Sequence, residues 1–307
     1  MTRTDGTPPA TSATVPRSEA GPAKITVLGA GSWGTTFAKV LADAAADAGA
    51  ERTVCLWGRS PEAMATLSRE HRNERYVPGV DLPEGLEYSS DLPAALEGAG
   101  LVVAAIPAQS LRAQLTMAAP HLDPDAVVLS LAKGLESTTG LRMTEVIAQV
   151  LGAHAAGSQE EWAGRTCVLS GPNLAMEIAR EEPTASVVAA PEHGTAAWVA
   201  LCCAAPYFRP YTNADVVGTE IGGLVKNVIA LCVGICDGRG YGDNSKASVM
   251  TRGLAETTRL ALALGGDLTT LSGLSGMGDL VATCSSSLSR NRTAGRLLGA
   301  GLTLAQV

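Results

Sequence analysis

The stretch that most constrains the fold is residues 24–34, K-I-T-V-L-G-A-G-S-W-G. Ile25, Val27 and Leu28 are β-branched or aliphatic and read as a short buried strand. Gly29, Gly31 and Gly34 follow at G-x-G-x-x-G spacing, and residues 35–41 (T-T-F-A-K-V-L) continue at helical period. In a strand-turn-helix the first glycine permits the tight turn, the second lets backbone approach a pyrophosphate, and the third lets helix pack close on strand. The helix start behind them offers free N–H groups and a positive dipole end to an anion. The unit is a candidate dinucleotide site. The alternative is a glycine-rich turn needed only for packing.

From residue 24 onward, short apolar runs alternate with helical patterns. Strands are expected at 53–57, 101–106 and 126–131, with two more at 167–169 and 185–189. Helices are expected between them at 61–69, 92–97, 110–118, 141–151, 173–180 and 195–204. That alternation predicts an α/β fold with a doubly wound, Rossmann-type parallel sheet. It stops near Asn213, and the remainder reads as helix at 216–236, 245–264 and 271–281, with another beginning near Asn291. The expected division is a dinucleotide-binding domain over 23–212 and a smaller all-helical, substrate-binding and catalytic domain over 213–307. Residues 1–22 are rich in Thr, Ser, Pro and Ala without an apolar stretch and read as a disordered tail, not a signal peptide.

Composition narrows the function classes. A net charge of −7 and only 4% aromatic residues argue against nucleic-acid and anionic-membrane partners. Seven cysteines, mostly in apolar runs and without C-x-x-C, fit buried free thiols in a reducing compartment, which points to the cytoplasm. Four scattered histidines give no ligand spacing, so no metal is expected. No uncharged apolar run reaches the length of a membrane span.

Several residues could carry chemistry. Arg59 closes the second strand, 25 positions after Gly34 (59 − 34), where an NAD site usually has an acidic residue. A guanidinium suits a 2′-phosphate, so NADP(H) is favoured, with NAD(H) as the alternative. Lys133, in S-L-A-K-G, stands at the carboxyl end of a strand, the edge where open α/β sheets bind ligands. Asn173, in S-G-P-N, is placed to cap the following helix, to face a ligand, or both. Lys226 is the only charged residue between 221 and 236. Burial would disfavour its ammonium and make it a proton donor and acceptor, unless it snorkels to water. Glu220 and Asn227 are its polar neighbours in sequence. The run 283–292, with Ser289, Arg290, Asn291 and Arg292, is equally a phosphate site or a solvated loop.

Together these pieces resemble the NAD(P)-dependent sn-glycerol-3-phosphate dehydrogenase family of bacterial type. The matching segments are G-A-G-S-W-G (29–34), W-G-R (57–59), N-E-R-Y-V-P-G (73–79), A-K-G (132–134) and S-G-P-N-L-A-M-E (170–177). K-N (226–227), G-D-N-S-K-A (242–247), G-M-G-D-L (276–280) and S-R-N-R (289–292) follow in the same order. The resemblance implies an oxidoreductase that interconverts dihydroxyacetone phosphate and sn-glycerol 3-phosphate with NAD(P)H, supplying glycerol 3-phosphate for glycerophospholipid synthesis. It implies that Lys226 is the proton donor and acceptor at the C2 oxygen and that Lys133 is shared by cofactor and substrate. Gly171, Asn173, Asp279, Ser289, Arg290 and Asn291 match substrate positions, the last three holding the phosphate. Ser32, Trp33, Arg59 and Ala175 match cofactor contacts beside the glycine turn, with Arg290 shared between cofactor and substrate.

Family members run on past a glycine-rich stretch like 299–302, so the helical domain is expected to be cut short at Val307, its last helix hardly begun and further cofactor contacts missing. A homodimer is left open. Two rival readings stand beside the resemblance. One is a β-hydroxyacid or 6-phosphogluconate type dehydrogenase of the same architecture. The other is an NADP-binding redox sensor without catalysis, against which an intact Lys133, Lys226 and Arg290 set argues.

Overall fold

The structure is a computed structural model that describes residues 21–307. The tail reading of residues 1–22 lies, apart from its last two residues, outside the described residues. The chain opens with β1 (Lys24–Leu28), α1 (Ser32–Asp47), β2 (Thr53–Trp57), α2 (Pro61–Glu70), β3 (Leu86–Ser89), α3 (Leu92–Leu96), β4 (Leu101–Ala104) and α4 (Ala108–Ala118). It continues with β5 (Val127–Ser130), α5 (Met143–His154), α6 (Gln159–Gly164), β6 (Thr166–Ser170), α7 (Ala175–Ala179), β7 (Thr184–Ala189), α8 (His193–Cys203) and β8 (Phe208–Asn213). Then come α9 (Val216–Gly238), α10 (Asp243–Ala263), α11 (Leu268–Ser272), α12 (Asp279–Ser285) and α13 (Arg290–Gly299).

One sheet has the order β3-β2-β1-β4-β5-β6-β7-β8. Successive side chains of a strand point to opposite faces, and the aliphatic runs divide accordingly. Ile25, Val27, Leu101, Val103, Val127 and Leu129 enter the core under α1 and α8. Leu28, Val102, Ala104 and Val128 enter the core under α4 and α5. Both faces are therefore covered, as near-continuous aliphatic strands require.

The sheet departs from the all-parallel expectation at one place, where β7 runs antiparallel to β6. The chain between Ser170 and Thr184 holds only the five-residue α7. That helix turns the chain at the carboxyl edge instead of crossing a face, so the strand returns in the opposite sense. Two strands and one helix went unread in the sequence: β3, β8 and α6.

In the helical part, α9 is the axis, flanked by α10, α12 and α13. Among the described helices it is the one long and apolar enough, by length and composition, to cross a membrane, and 56% of that stretch is buried. It is not buried all round: Val228 is 63% exposed, and Cys232 is an exposed thiol. The expected helix over 271–281 is broken into α11, a π-turn at Leu274–Gly278, and α12. The last helix, expected only to begin, is a full ten-residue α13 capped by Ser289, whose side chain accepts from the Arg292 amide.

Candidate active site

The glycine turn lies at the switch point of the sheet, where β1 pairs with β2 on one side and β4 on the other. Gly29 has φ 114°, and a Cβ there would stand 2.5 Å from the Ala105 carbonyl oxygen. A Cβ on Gly34 would stand 1.8 Å from the Gly29 carbonyl oxygen, so α1 sits directly on the turn. Gly31 is the N-cap of α1 and offers no side-chain cap, and nothing lies within 4 Å of where its Cβ would be. The first turn of α1 thus presents uncapped N–H groups to open space, the arrangement a pyrophosphate fits.

Asn73 secures this turn from below, its Nδ2 donating to the Ala30 carbonyl at 3.2 Å and to Thr35 Oγ1 at 2.8 Å. Ser32 and Trp33 lie half-buried in the first turn, where the buried Trp33 indole N–H has no partner among the described residues. Ala175 begins α7, and its carbonyl accepts from Thr36 of α1 at 3.3 Å, which brings α7 to the same edge. Arg59 follows β2, is exposed, and makes no ion pair among the described residues. The residues present therefore fit a dinucleotide.

Beside this cradle two lysines meet one carboxylate. Lys133 follows β5 at the same sheet edge, and its Nζ lies 2.6 Å from Asp279 Oδ2 and 3.3 Å from the Gly171 carbonyl oxygen. Lys226 of α9 donates to the other oxygen, Asp279 Oδ1, and to Thr283 Oγ1 at 2.9 Å. Asp279 is 1% exposed and Lys226 9% exposed. Lys226 is thus ion-paired, neither snorkelling nor unpartnered. Its sequence neighbour Glu220 plays no part here and is bound to Arg142 and Thr144 instead. Burial, aided by the adjacent Lys133 ammonium, pushes the Lys226 ammonium down to about 7 against the pull of Asp279.

The π-turn is what delivers Asp279. A Cβ on Gly276 would fall 2.0 Å from the Leu271 carbonyl oxygen, so only glycine lets the chain double back before α12. Such turns are frequent at functional sites. Asp279 then heads α12, with Thr283 one helical turn on and on the same face. Thr283 was missed as a site residue, although its i, i+4 relation to Asp279 could have identified it.

Other expected residues are placed differently. Asn173 does not cap α7, whose N-cap is Leu174 without a side-chain bond. Its Nδ2 donates to Ser186 Oγ at 3.1 Å, while its Oδ1 and the hydroxyl of Ser170 are buried without partners among the described residues. Ser289 is buried as the cap of α13; Arg290 and Asn291 are exposed on its first turn. Among the described residues no hydrogen bond or ion pair joins these three to the Lys133–Asp279–Lys226 cluster. The α13 backbone instead crosses α9 at Gly234, where a Cβ would lie 2.0 Å from the Arg292 carbonyl oxygen. Gly234 is eight residues beyond Lys226, about 12 Å along the helix. No group of three His, Cys, Asp or Glu side chains suited to a metal occurs among the described residues.

The family models and the relatives more than half identical to this chain agree. The family model for the NAD-dependent glycerol-3-phosphate dehydrogenase N-terminus matches residues 24–196. That for the C-terminus of the same enzymes matches residues 215–307. The glycerol-3-phosphate dehydrogenase [NAD(P)+] of Thermobifida fusca is 54% identical over 284 residues, covering 92% of this chain and 81% of the relative. The enzyme of that name from Streptomyces griseus is 52% identical over 283 residues, covering 92% and 80%. The crystal structure of glycerol-3-phosphate dehydrogenase from Coxiella burnetii superposes with a TM-score of 0.83 at 36% identity, covering 94% of this chain and 83% of that one. The chain belongs to the NAD-dependent glycerol-3-phosphate dehydrogenase family.

Proposed function

We propose that this chain catalyses reversible reduction of dihydroxyacetone phosphate to sn-glycerol 3-phosphate with NAD(P)H. The observation that carries the reading is the buried Lys226, ion-paired with Asp279, whose other oxygen pairs with Lys133 at the ligand-binding edge of the sheet. The dinucleotide, when bound, supplies or accepts the hydride. Gly29, Gly31, Gly34, Ser32, Trp33 and Ala175 are the residues to hold it, and Arg59 suits a 2′-phosphate, which favours NADP(H) over NAD(H).

The chain's own residues handle the proton. Lys226 stabilises charge gathering on the C2 oxygen and donates to it, and it takes the proton back in the reverse direction. Asp279 holds Lys226 and Lys133 in fixed directions, and Lys133 adds a second cation beside the oxygen. Asn173, whose buried Oδ1 lacks a partner among the described residues, and Gly171 line the substrate side. Ser289, Arg290 and Asn291, at the positive start of α13, bind the phosphate, whose remote binding energy fixes C2 in place. The working division is a dinucleotide-binding unit over 23–212 and a catalytic helical unit over 213–307. Cys55, Cys203, Cys232, Cys236 and Cys284 are free thiols, in keeping with a reaction in the reducing cytoplasm.

The test is NADPH consumption by purified protein with dihydroxyacetone phosphate, set against NADH and against a 3-hydroxy acid with NADP+. Turnover confined to the phosphorylated substrate is expected. Lys226→Ala should lose about 10²–10⁴-fold in kcat while NADPH still binds. Near-normal turnover of that variant overturns the assignment of Lys226.

A further inference from the structure

Glu220 and Lys226 share α9 but are bound to opposite parts of the molecule. Glu220 is 8% exposed, and among the described residues the hydrogen bonds to its carboxylate come from the start of α5. Oε1 accepts from the Thr144 amide at 3.0 Å. Oε2 accepts from Thr144 Oγ1 and from Arg142 Nη1, each at 2.6 Å. The other guanidinium nitrogen of Arg142 is held by Glu145 at 2.8 Å. Arg142 has no acceptor with which to cap α5, so a carboxylate from another element fills that role at the positive helix end.

At this end α9 packs through Val217 and Ile221 on Ala261 and Leu271. A cleft of about 660 Å³ opens beside its first turn, lined by α5 and α6 on one side and by residues 214–217 and 265–267 on the other. Just past Glu220 the helix runs against backbone and polar atoms. A Cβ on Gly222 would lie 2.4 Å from the Ser275 carbonyl oxygen, and one on Gly223 would lie 2.7 Å from Ser170 Oγ. Lys226 follows within about 9 Å of axial rise from Glu220. A turn or slide of α9 on the sheet would therefore move Lys226 relative to Lys133, which stays with β5.

We propose that Glu220, through Arg142 and Thr144, is a positioning residue that sets the register of α9 and so holds Lys226 against Lys133 and Asp279. This rests on the dehydrogenase reading. It is tested with Glu220→Ala, Glu220→Gln and, from the other side of the contact, Arg142→Met. The measurements are kcat, KM for dihydroxyacetone phosphate, NADPH dissociation constant by fluorescence, melting temperature and the pH profile of kcat/KM.

In folded Glu220→Ala, kcat should fall roughly tenfold or more, the scale set by misplacing a catalytic group, with NADPH affinity within about twofold. The pH midpoint should move, since the surroundings of Lys226 change. Glu220→Gln keeps an acceptor for the Thr144 amide and should recover part of kcat, and Arg142→Met should shift kcat in the same direction as Glu220→Ala. Unchanged kcat and pH midpoint in folded Glu220→Gln and Arg142→Met would overturn the proposal. So would a loss of kcat matched by an equal loss of NADPH affinity. Wild-type protein that binds NADPH but never reduces dihydroxyacetone phosphate would instead overturn the dehydrogenase reading, a result obtained before any variant is made.

Discussion

An ammonium taken out of water next to a second ammonium releases its proton more readily than a free lysine. Lys226 is in that position, and its pKa of about 7 sets a signed expectation for activity. Ketone reduction needs the protonated form, so its kcat/KM should fall as pH rises through about 7. Oxidation of glycerol 3-phosphate needs the neutral form, so its kcat/KM should rise across the same interval. Normalised to their plateaus, the profiles of the two directions should share a midpoint near neutrality, and profiles of the same sign would exclude Lys226 as the titrating group. The sequence made Lys226 visible because a lone charge in an apolar run is conspicuous. It did not reveal the partner, because Asp279 lies 53 positions away and nothing local marks the two as neighbours.

Elements were legible to the degree that burial left a pattern. The strands that enter both cores are aliphatic on both faces, and their positions were evident. The edge strands β3 (L-E-Y-S) and β8 (F-R-P-Y-T-N) are short and half exposed, so neither continuous apolarity nor clean alternation marks them. The break between α11 and α12 was hidden because apolar residues continue through it at helical spacing, and only the three-dimensional approach to Leu271 shows why glycine is needed. That approach gives a prediction for the element. Gly276→Ala forces Cβ onto the Leu271 backbone, with its carbonyl oxygen at 2.0 Å, and should destabilise the fold by about 1–3 kcal/mol. It should also displace Asp279 and lower kcat. Gly273→Ala meets nothing nearer than 3.5 Å and should leave both stability and kcat close to wild type. Denaturant titration and steady-state kinetics on the pair decide it, and equal effects at the two positions would rule out the π-turn as the cause.

At the scale of the whole molecule, the site is a joint between the sheet and the helices, closed by one carboxylate. Lys133 and Asp279 are 146 positions apart, and their meeting follows from the docking of α9 and α12 on the sheet edge. Glycine spacings could announce the two halves of this joint but not their contact. The joint sets two ammonium groups against a single buried carboxylate, and this bears on stability as well as turnover. In the unfolded chain Lys226 titrates at its ordinary 10.5, and in the fold at about 7. Between those values the unfolded state binds the additional proton, so this group makes stability rise with pH across that window. Below about 7 both states are protonated, and the destabilisation is present in full. Lys226→Met keeps the Lys133–Asp279 pair and removes the titration. Its stability relative to wild type should therefore be most favourable at neutral pH and should decline steadily toward pH 10. Denaturant unfolding of both proteins from pH 7 to 10 measures that difference directly. A difference that stays flat would mean that Lys226 carries no depressed pKa in the fold, and with it would go the proton transfer assigned to this residue.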